Sequence, residues 1–120
     1  MKSYKDLDIY NLSYKYAIEV HKMTLKLPKY ELYEGGSQLR RSSKSIVNNI
    51  VEGYGRRKYK GDFVKFLIYA QASLLESTSQ LEMIKDIHFF EGIDEMVENY
   101  NRLGAKIFSF ITYVENNWKT

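Results

Sequence analysis

The densest group of chemically active side chains in this chain is a basic cluster at residues 56–60. It contains four cations and one aromatic ring, in the order Arg56-Arg57-Lys58-Tyr59-Lys60. Cationic side chains bind phosphate groups, and an aromatic ring can stack on an exposed base. Arg40 and Lys44, one helical turn apart, add a basic edge upstream. The pattern predicts contact with nucleic acid, although a solvated loop between helices would have the same composition.

A second feature is a polar stripe on the segment that precedes this cluster. At about 100° per residue, five polar side chains fall within an arc of roughly 80° of one helix. They are Gln38, Arg41, Ser45, Asn49 and Glu52. Arg41 and Glu52 are about three turns apart and cannot pair with each other, so each needs another partner.

Glu76 and Gln80 form a second polar edge, one turn apart on a later helix. Buried charges are tolerated only when they are paired and hydrogen-bonded, so we expect the polar stripe to meet another helix. That helix could belong to the same chain or to a neighbouring subunit. The residues assigned to this structural or oligomer-forming role are Arg41, Ser45, Asn49, Glu52 and Glu76.

No arrangement in the sequence indicates catalysis. His21 and His88 lie on different helices and lack the Glu-x-x-His pairs of bundle metal sites. Ser42, Ser43 and Ser45 have no nearby histidine, and phosphate-loop glycine patterns are absent. We expect a non-enzymatic protein without cofactor, metal or small-molecule substrate, in which both histidines are structural.

Composition fits a single domain over residues 1–120. Of the 120 residues, 44% are hydrophobic and none is cysteine, which excludes disulfides and thiolate metal sites. The N-terminus lacks a signal-peptide pattern, and no apolar run approaches the ~20 residues of a membrane span. We therefore expect a cytoplasmic protein.

Charge is distributed unevenly along the chain. Residues 1–60 hold 13 Lys/Arg and 6 Asp/Glu, a balance of +7, whereas residues 61–120 hold 5 and 9, a balance of −4. Such asymmetry can mark a nucleic-acid face, but it would also allow basic and acidic helices to pair within a bundle or between subunits. Without a sequence-specific motif, any nucleic-acid readout would be of backbone and shape.

Two amphipathic segments are predicted in the first half of the chain. The first helix runs from about Leu7 to Lys26, after a capping box of Ser3 and Asp6, and ends before Pro28. Its predicted core stripe is Leu7, Tyr10, Tyr14, Ala17, Ile18, His21 and Leu25. The second helix spans about 38–52, with Gly35-Gly36 as breaker, Ser37 as N-cap and Gly53 as stop. Its core stripe is Leu39, Ile46, Ile50 and Tyr54.

Two further helices are predicted in the second half. The third spans about 63–89 after an Asp62 cap, and the fourth opens at Ile93 or Asp94 after the Gly92 break. The third has the stripe Phe63, Phe66, Leu67, Ala70, Leu74, Ser77, Leu81 and Ile84. The fourth has the stripe Ile93, Met96, Val97, Tyr100, Leu103, Ile107, Phe110, Ile111, Val114 and Trp118.

Four helices with short breaks predict an all-α, antiparallel up-down-up-down four-helix bundle. Some apolar residues fall outside the core stripes, and they indicate a second buried surface and hence self-association. These residues are Val47, Val51, Ile68, Leu75, Ile87 and Phe108.

A series of short motifs connects these helices to a known family. The series is Leu27-Pro28, Glu31, Gln38-Leu39-Arg40-Arg41, Ser45-Ile46, Asn49-Ile50, Glu52-Gly53, Gly55-Arg56, Phe66-Leu67, Ala70, Ser73-Leu74, Glu76 and Leu81. In these residues the chain resembles the small bacterial bundle proteins encoded in intervening sequences of large-subunit ribosomal RNA genes. The resemblance spans about residues 7–90. Val47, where many members have proline, and Gln71-Ala72, where glycine is usual at the second position, depart from it.

The resemblance implies a ring-shaped homo-oligomer, a pentamer, with no established enzymatic activity. A similar fold in the accessory protein of diversity-generating retroelements, which associates with nucleic acid, favours RNA or DNA as partner. The residues predicted to bind it are Arg40, Lys44, Arg56, Arg57, Lys58 and Lys60. The alternative is a structural or adaptor oligomer that binds a protein partner and has no nucleic-acid role.

Overall fold

The computed structural model describes residues 2–119, which form four long helices and two short 3₁₀ turns. The helices are α1 (Asp8–Thr24), α2 (Gly35–Gly55), α3 (Lys60–Ile87) and α4 (Ile93–Asn117), and the turns are Tyr4–Asp6 and Lys29–Leu32. Each helix packs on the next one in the chain, and α1 also contacts α4. The predicted all-α, up-down-up-down bundle is therefore confirmed. Within residues 2–119, no helix combines the length and apolar character needed to cross a bilayer.

The core is a continuous column of side chains from all four helices, and the predicted stripes of α2, α3 and α4 supply most of it. All four stripe residues of α2 are buried, and on α3 every stripe residue except the partly buried Phe66 is buried. On α4, the partly buried stripe residues are Met96, Val97, Phe110 and Trp118. Burial of these apolar side chains is the main contribution to stability.

The predicted core stripe of α1 is wrong in part, because Tyr14, Ile18 and Leu25 are exposed. The buried face of this helix is formed by Ile9, Ser13, Ala17, Val20, Met23 and Thr24. Ser13 and Thr24 can be buried because each hydroxyl donates to a backbone carbonyl three residues earlier, at 3.0 and 2.9 Å. A pattern based on apolar residues alone overlooked these two positions and shifted the stripe.

The start of α2 also differs from the prediction, since Gly35-Gly36 opens the helix instead of breaking the chain before it. The backbone N–H of Gly35 donates to Oε1 of Glu31 at 3.0 Å, so Glu31 serves the helix end in place of the predicted Ser37 cap. A Cβ atom on Gly36 would lie 2.5 Å from the carbonyl oxygen of Glu31. The glycine pair thus permits close contact with the Lys29–Leu32 turn.

The predicted stop at Gly53 is wrong, because α2 continues to Gly55. A Cβ atom on Gly53 would lie 3.2 Å from Cβ of Phe66, so this glycine marks close packing of α2 on α3. Asp62 lies within the first turn of α3 and is not its cap, since the N-cap residue is Tyr59.

Of the predicted starts of α1 and α4, the start of α4 is confirmed, whereas the capping box predicted for α1 belongs to the turn before it. The Ser3–Asp6 capping box is present, but it caps the 3₁₀ turn Tyr4–Asp6 and not α1. Helix α4 begins at Ile93, as predicted, after Gly92 with φ of 98°.

A seam of hydroxyl groups joins α2 to α3. The Ser77 hydroxyl donates to Oγ of Ser42 at 2.8 Å, and the Ser42 hydroxyl donates to Oε1 of Gln80 at 2.8 Å. One turn further along, the hydroxyl oxygens of Ser45 and Ser73 are 2.9 Å apart. These short side chains satisfy one another, so polar groups are tolerated between two closely packed helices.

The Gly36 contact gives a test of the fold. Gly36→Ala is expected to lower the free energy of unfolding by roughly 1–3 kcal/mol, because its methyl group would overlap the Glu31 carbonyl oxygen. Gly61→Ala is the control, since a Cβ atom there has no neighbour within 4 Å. It should raise stability by up to about 1 kcal/mol through helix propensity. Urea denaturation followed by circular dichroism measures both, and an unchanged Gly36→Ala variant would contradict the contact.

Candidate nucleic-acid interface

The basic cluster at residues 56–60 forms the turn between α2 and α3, and its backbone is held from two sides. The guanidinium carbon of Arg57 lies 3.9 Å from the ring centroid of Tyr54, and Nη1 of Arg57 donates to the Tyr54 carbonyl oxygen at 2.9 Å. The indole N–H of Trp118 donates to the carbonyl oxygen of Arg57 at 2.9 Å. Arg57 therefore stabilises this turn.

The other cations of the turn divide into one that is anchored and two that are exposed. Nζ of Lys60 donates to the carbonyl oxygen of Glu115 at the end of α4, at 2.9 Å. Lys58 is exposed beside the exposed ring of Tyr59, with Nζ 5.7 Å from its centroid.

The side chain of Arg56 is 47% exposed, with its guanidinium carbon 4.7 Å from the ring centroid of Phe66 and its Nε 3.7 Å from Oε2 of Glu52. Lys58 and Arg56 are thus the exposed cations of this turn, and Arg56 is the one with a carboxylate neighbour.

The predicted basic edge of α2 consists of two residues with different environments. Arg40 is partly buried, and its guanidinium donates to Oγ1 of Thr24 and to the carbonyl oxygen of Leu32, both at 2.9 Å. It thereby ties the end of α1 and the following 3₁₀ turn to α2. Lys44 is exposed. Because a helix rises 1.5 Å per residue, Lys44 and Arg56 are separated by about 18 Å along α2 and belong to two distinct patches.

The central residues of the polar stripe face α3 within the same chain. Asn49 donates to the carbonyl oxygen of Ser45 at 2.9 Å and lies 3.1 Å from its hydroxyl, which contacts Ser73 of α3. Both side chains are partly buried. This part of the stripe contributes to the α2–α3 contact.

The charged residues of the polar stripe lie at the outer margin of this contact and are exposed. Glu52 lies 3.7 Å from Arg56, and Glu76 accepts a hydrogen bond from Gln80 at 3.3 Å. Arg41 forms no hydrogen bond or ion pair with any residue in 2–119. Surface pairs of this kind contribute little to stability.

A groove between α1 and α2, hereafter the α1/α2 groove, was not predicted from the sequence. Its volume is about 390 Å³. It is lined by Tyr14, Ala17, Ile18, His21, Lys44, Val47 and Asn48. The lining includes no carboxylate. Tyr14 and Ile18, which line it, belong to the predicted core stripe of α1, so the sequence contains these residues but does not show that they are exposed.

His21 lies in this groove in a positive environment. Burial, and then the charges of Lys44 and Arg40, lower the pKa of His21 from its ordinary value. At neutral pH the ring is therefore neutral, and it can donate one hydrogen bond and accept another.

His88 is far from the α1/α2 groove and joins the end of α3 to the Lys29–Leu32 turn. Its Nε2 atom lies 2.7 Å from Oε2 of the buried Glu31 and 3.1 Å from the hydroxyl oxygen of Tyr30. Among residues 2–119, no three His, Asp or Glu side chains converge in a way that could hold a metal ion. The contacts of His88 are those of a structural histidine.

The motifs noted in the sequence agree with a comparison against protein families. The profile described as 23S rRNA-intervening sequence protein matches residues 5–109. The chain belongs to this family. The predicted resemblance is thus confirmed, and the match extends from the first three helices into α4.

The fold also matches a solved structure. The crystal structure of a protein of unknown function from the S23 ribosomal protein family of Bacteroides thetaiotaomicron VPI-5482 superposes with a TM-score of 0.75. Its sequence is 19% identical, and the alignment covers 87% of this chain and 95% of that protein. At this identity the likeness concerns the fold alone. Comparison with curated proteins finds no match.

The environment of His21 predicts a dependence of stability on pH. Because the pKa of His21 is lower in the folded state, the unfolded chain binds more protons, and stability falls as the pH drops through about 6.5. Between about pH 7.5 and 5.5, wild type should lose more unfolding free energy than His21→Gln. Lys44→Gln should raise the pKa of His21, as measured by NMR titration. Equal losses in wild type and His21→Gln would contradict this account.

Proposed function

We propose that this member of the 23S rRNA-intervening sequence protein family is a non-enzymatic, cytoplasmic homo-oligomer that binds nucleic acid, with structured RNA as its ligand. The observation that carries the proposal is the positive charge of α1, the turn after it and α2 that no carboxylate neutralises. Within residues 2–119, the following side chains contact no carboxylate: Lys15, Lys22, Lys26, Arg41 and Lys44.

The acidic residues of α1 are directed towards α4 and do not offset this charge. Asp8 lies 3.1 Å from Nζ of Lys106 on α4. Glu19 adds to the effect of burial in raising the pKa of Tyr100, which is also on α4. The α1–α2 part of the chain therefore keeps an excess of positive charge.

The second half of the chain shows the opposite arrangement. Three of its five cations form ion pairs with carboxylates: Lys85, Arg102 and Lys106. This contrast between the halves favours a polyanion as the partner of α1 and α2, because phosphates would supply the negative charge that the chain does not. Lys44 would contact phosphates on this face, and Arg56 and Lys58 would contact them at the α2–α3 turn.

Self-association is supported by an apolar strip on the outer side of α3. At 100° per residue, this strip lies opposite the buried stripe of the same helix. It consists of the exposed residues Ile68, Leu75, Met83 and Ile87, with the exposed carboxylates of Glu76 and Asp86 on the same side of the helix. An exposed apolar strip of this length indicates a protein contact surface. We assign it to a second copy of the chain, and the family resemblance implies a ring of five.

The alternative function, an adaptor for a different protein, draws on the same apolar strip. It predicts a purified protein that retains a protein partner and no nucleic acid. The ratio of absorbance at 260 and 280 nm distinguishes the two functions, because bound RNA raises it.

The RNA proposal is tested by removing exposed cations and sparing the anchored ones. The triple variant Lys44→Gln, Arg56→Gln and Lys58→Gln should bind structured RNA at least tenfold more weakly. For this variant, the slope of log affinity against log salt concentration should be smaller in magnitude by about 2–3, since fewer counterions are released on binding. Fluorescence anisotropy between about 50 and 200 mM salt measures both quantities.

The control is a second triple variant, in which Lys85, Arg102 and Lys106 are each changed to Gln. It loses the same formal charge from α3 and α4, where all three cations are paired with carboxylates, whereas in the first variant only Arg56 is paired within residues 2–119. Equal losses of affinity in the two variants would show that net charge alone governs binding. Absence of binding by wild type at low salt would refute the proposal.

The assembly proposal predicts that Leu75→Glu lowers the mass of the oligomer toward the 14.2 kDa of one chain. Leu75 is 65% exposed, so the fold should survive, whereas a charge buried between subunits would be costly. Ser109→Glu, at an exposed position of α4, is the control. Light scattering gives the mass, and an unchanged mass for Leu75→Glu would exclude the α3 strip as the contact.

A further inference from the structure

The α1/α2 groove combines three kinds of surface on one side of the bundle. Its aromatic side chain is Tyr14, which is 51% exposed. Val47 and Ile18 supply aliphatic surface, and Lys44 and Asn48 supply an ammonium group and an amide. Aromatic, cationic and amide groups together are the elements with which proteins bind unpaired nucleotides.

The chemistry of each group matches one part of a nucleotide. A tyrosine ring stacks on any base, because every base has a π-face. The amide of Asn48 can donate and accept at a base edge, and the ammonium group of Lys44 can bind the adjacent phosphate. The Asn48 amide makes no hydrogen bond within residues 2–119, so it is available to a ligand.

The charge of the groove distinguishes a nucleotide from an apolar segment of another protein as its ligand. Lys44 has no carboxylate partner, and a protein segment that covered the groove would bury this charge unless it brought an acid to pair with it. Burial, and then the charges of Lys44 and Arg40, lower the pKa of His21, so Lys44 is the charged side chain of the groove lining at neutral pH. A base carrying a phosphate offers both the apolar face and the negative charge.

A comparison with two other grooves of the molecule supports a nucleotide as the ligand of the α1/α2 groove. The groove between the N-terminal turn and α4 has a volume of about 600 Å³ and includes Asp6 and Asp8 in its lining. The groove beside the Lys29–Leu32 turn has a volume of about 640 Å³ and includes Glu31 and Glu34. Carboxylates in these linings would repel phosphate, whereas the α1/α2 groove has none. A groove of about 360 Å³ lined by Lys26 and Phe89 also lacks carboxylates, but its lining has no amide side chain to meet a base edge.

We propose that the α1/α2 groove holds one unpaired base of a single-stranded RNA segment, stacked on Tyr14, with its edge at Asn48 and its phosphate at Lys44. This site deepens the proposed nucleic-acid binding and rests on it. In structured RNA, such a base would come from a loop or a bulge, where it is free to leave the stack.

The test uses three labelled RNA probes of about 12 nucleotides, a length within the range of single-strand binding sites. They are a non-self-complementary single strand, a blunt duplex, and an abasic ribose-phosphate strand. Wild type should bind the single strand more tightly than either of the others. Tyr14→Leu should bind the single strand about tenfold more weakly, the loss expected for one base–aromatic stack, and should bind the abasic strand as wild type does.

Tyr113→Leu is the matched control, because Tyr113 is also 51% exposed but lies in the groove that contains Asp6 and Asp8. It should bind all three probes as wild type does, and circular dichroism checks that both variants are folded. A second measurement replaces uridines of the single strand with 5-iodouridine. Ultraviolet crosslinking should then attach the strand to the peptide that contains Tyr14.

The outcomes separate the two proposals. If wild type binds neither these probes nor the structured RNA of the earlier test, nucleic-acid binding itself is refuted, and the base site with it. If it binds the structured RNA but not the single strand, only the base site is refuted. If wild type binds the probes but Tyr14→Leu matches Tyr113→Leu, the base site is refuted and nucleic-acid binding stands. Crosslinks confined to the α2–α3 turn would likewise overturn the base site and place the RNA on Arg56 and Lys58.

Discussion

The close approach of α2 and α3 is the constraint on which the rest of this structure depends. Serine hydroxyls pair across the contact at 2.8–2.9 Å, and Gly53 leaves room for the Phe66 side chain. One face of α2 packs on α3 and another faces the core, so its remaining faces contact α1 and solvent. Lys44 is thereby directed into the groove between α1 and α2. The packing of two helices thus determines where the positive charge is presented.

Helical periodicity was sufficient to predict the fold class and the buried stripes of α2 and α4, because apolar residues dominate those faces. It was insufficient for α1, where Ser13 and Thr24 are buried through hydrogen bonds to their own backbone. Glycine was the other source of error. Gly36 and Gly53 were interpreted as chain breakers, but they serve close contacts that only the tertiary structure defines.

The candidate site could be predicted as a list of cations but not as a surface. Arg40 and Arg57 have the same residue type as exposed binding residues, yet their guanidinium groups hold helix ends and a turn. A sequence cannot distinguish these roles, since the difference lies in which carbonyl oxygens come within reach. The α1/α2 groove was hidden for a related reason, because its aromatic and aliphatic residues follow the same spacing as a core.

The hydrogen bond from Trp118 to Arg57 spans 61 residues of sequence. It joins the C-terminal end of α4 to the turn at residues 56–60, and the bond from Lys60 to the Glu115 carbonyl oxygen does the same. Local bonds to Tyr54 shape the turn, but its position relative to the bundle is tied to α4. Any displacement of the end of α4 would therefore also move Arg56 and Lys58, so a partner that binds α4 could alter a surface to which that helix contributes few side chains.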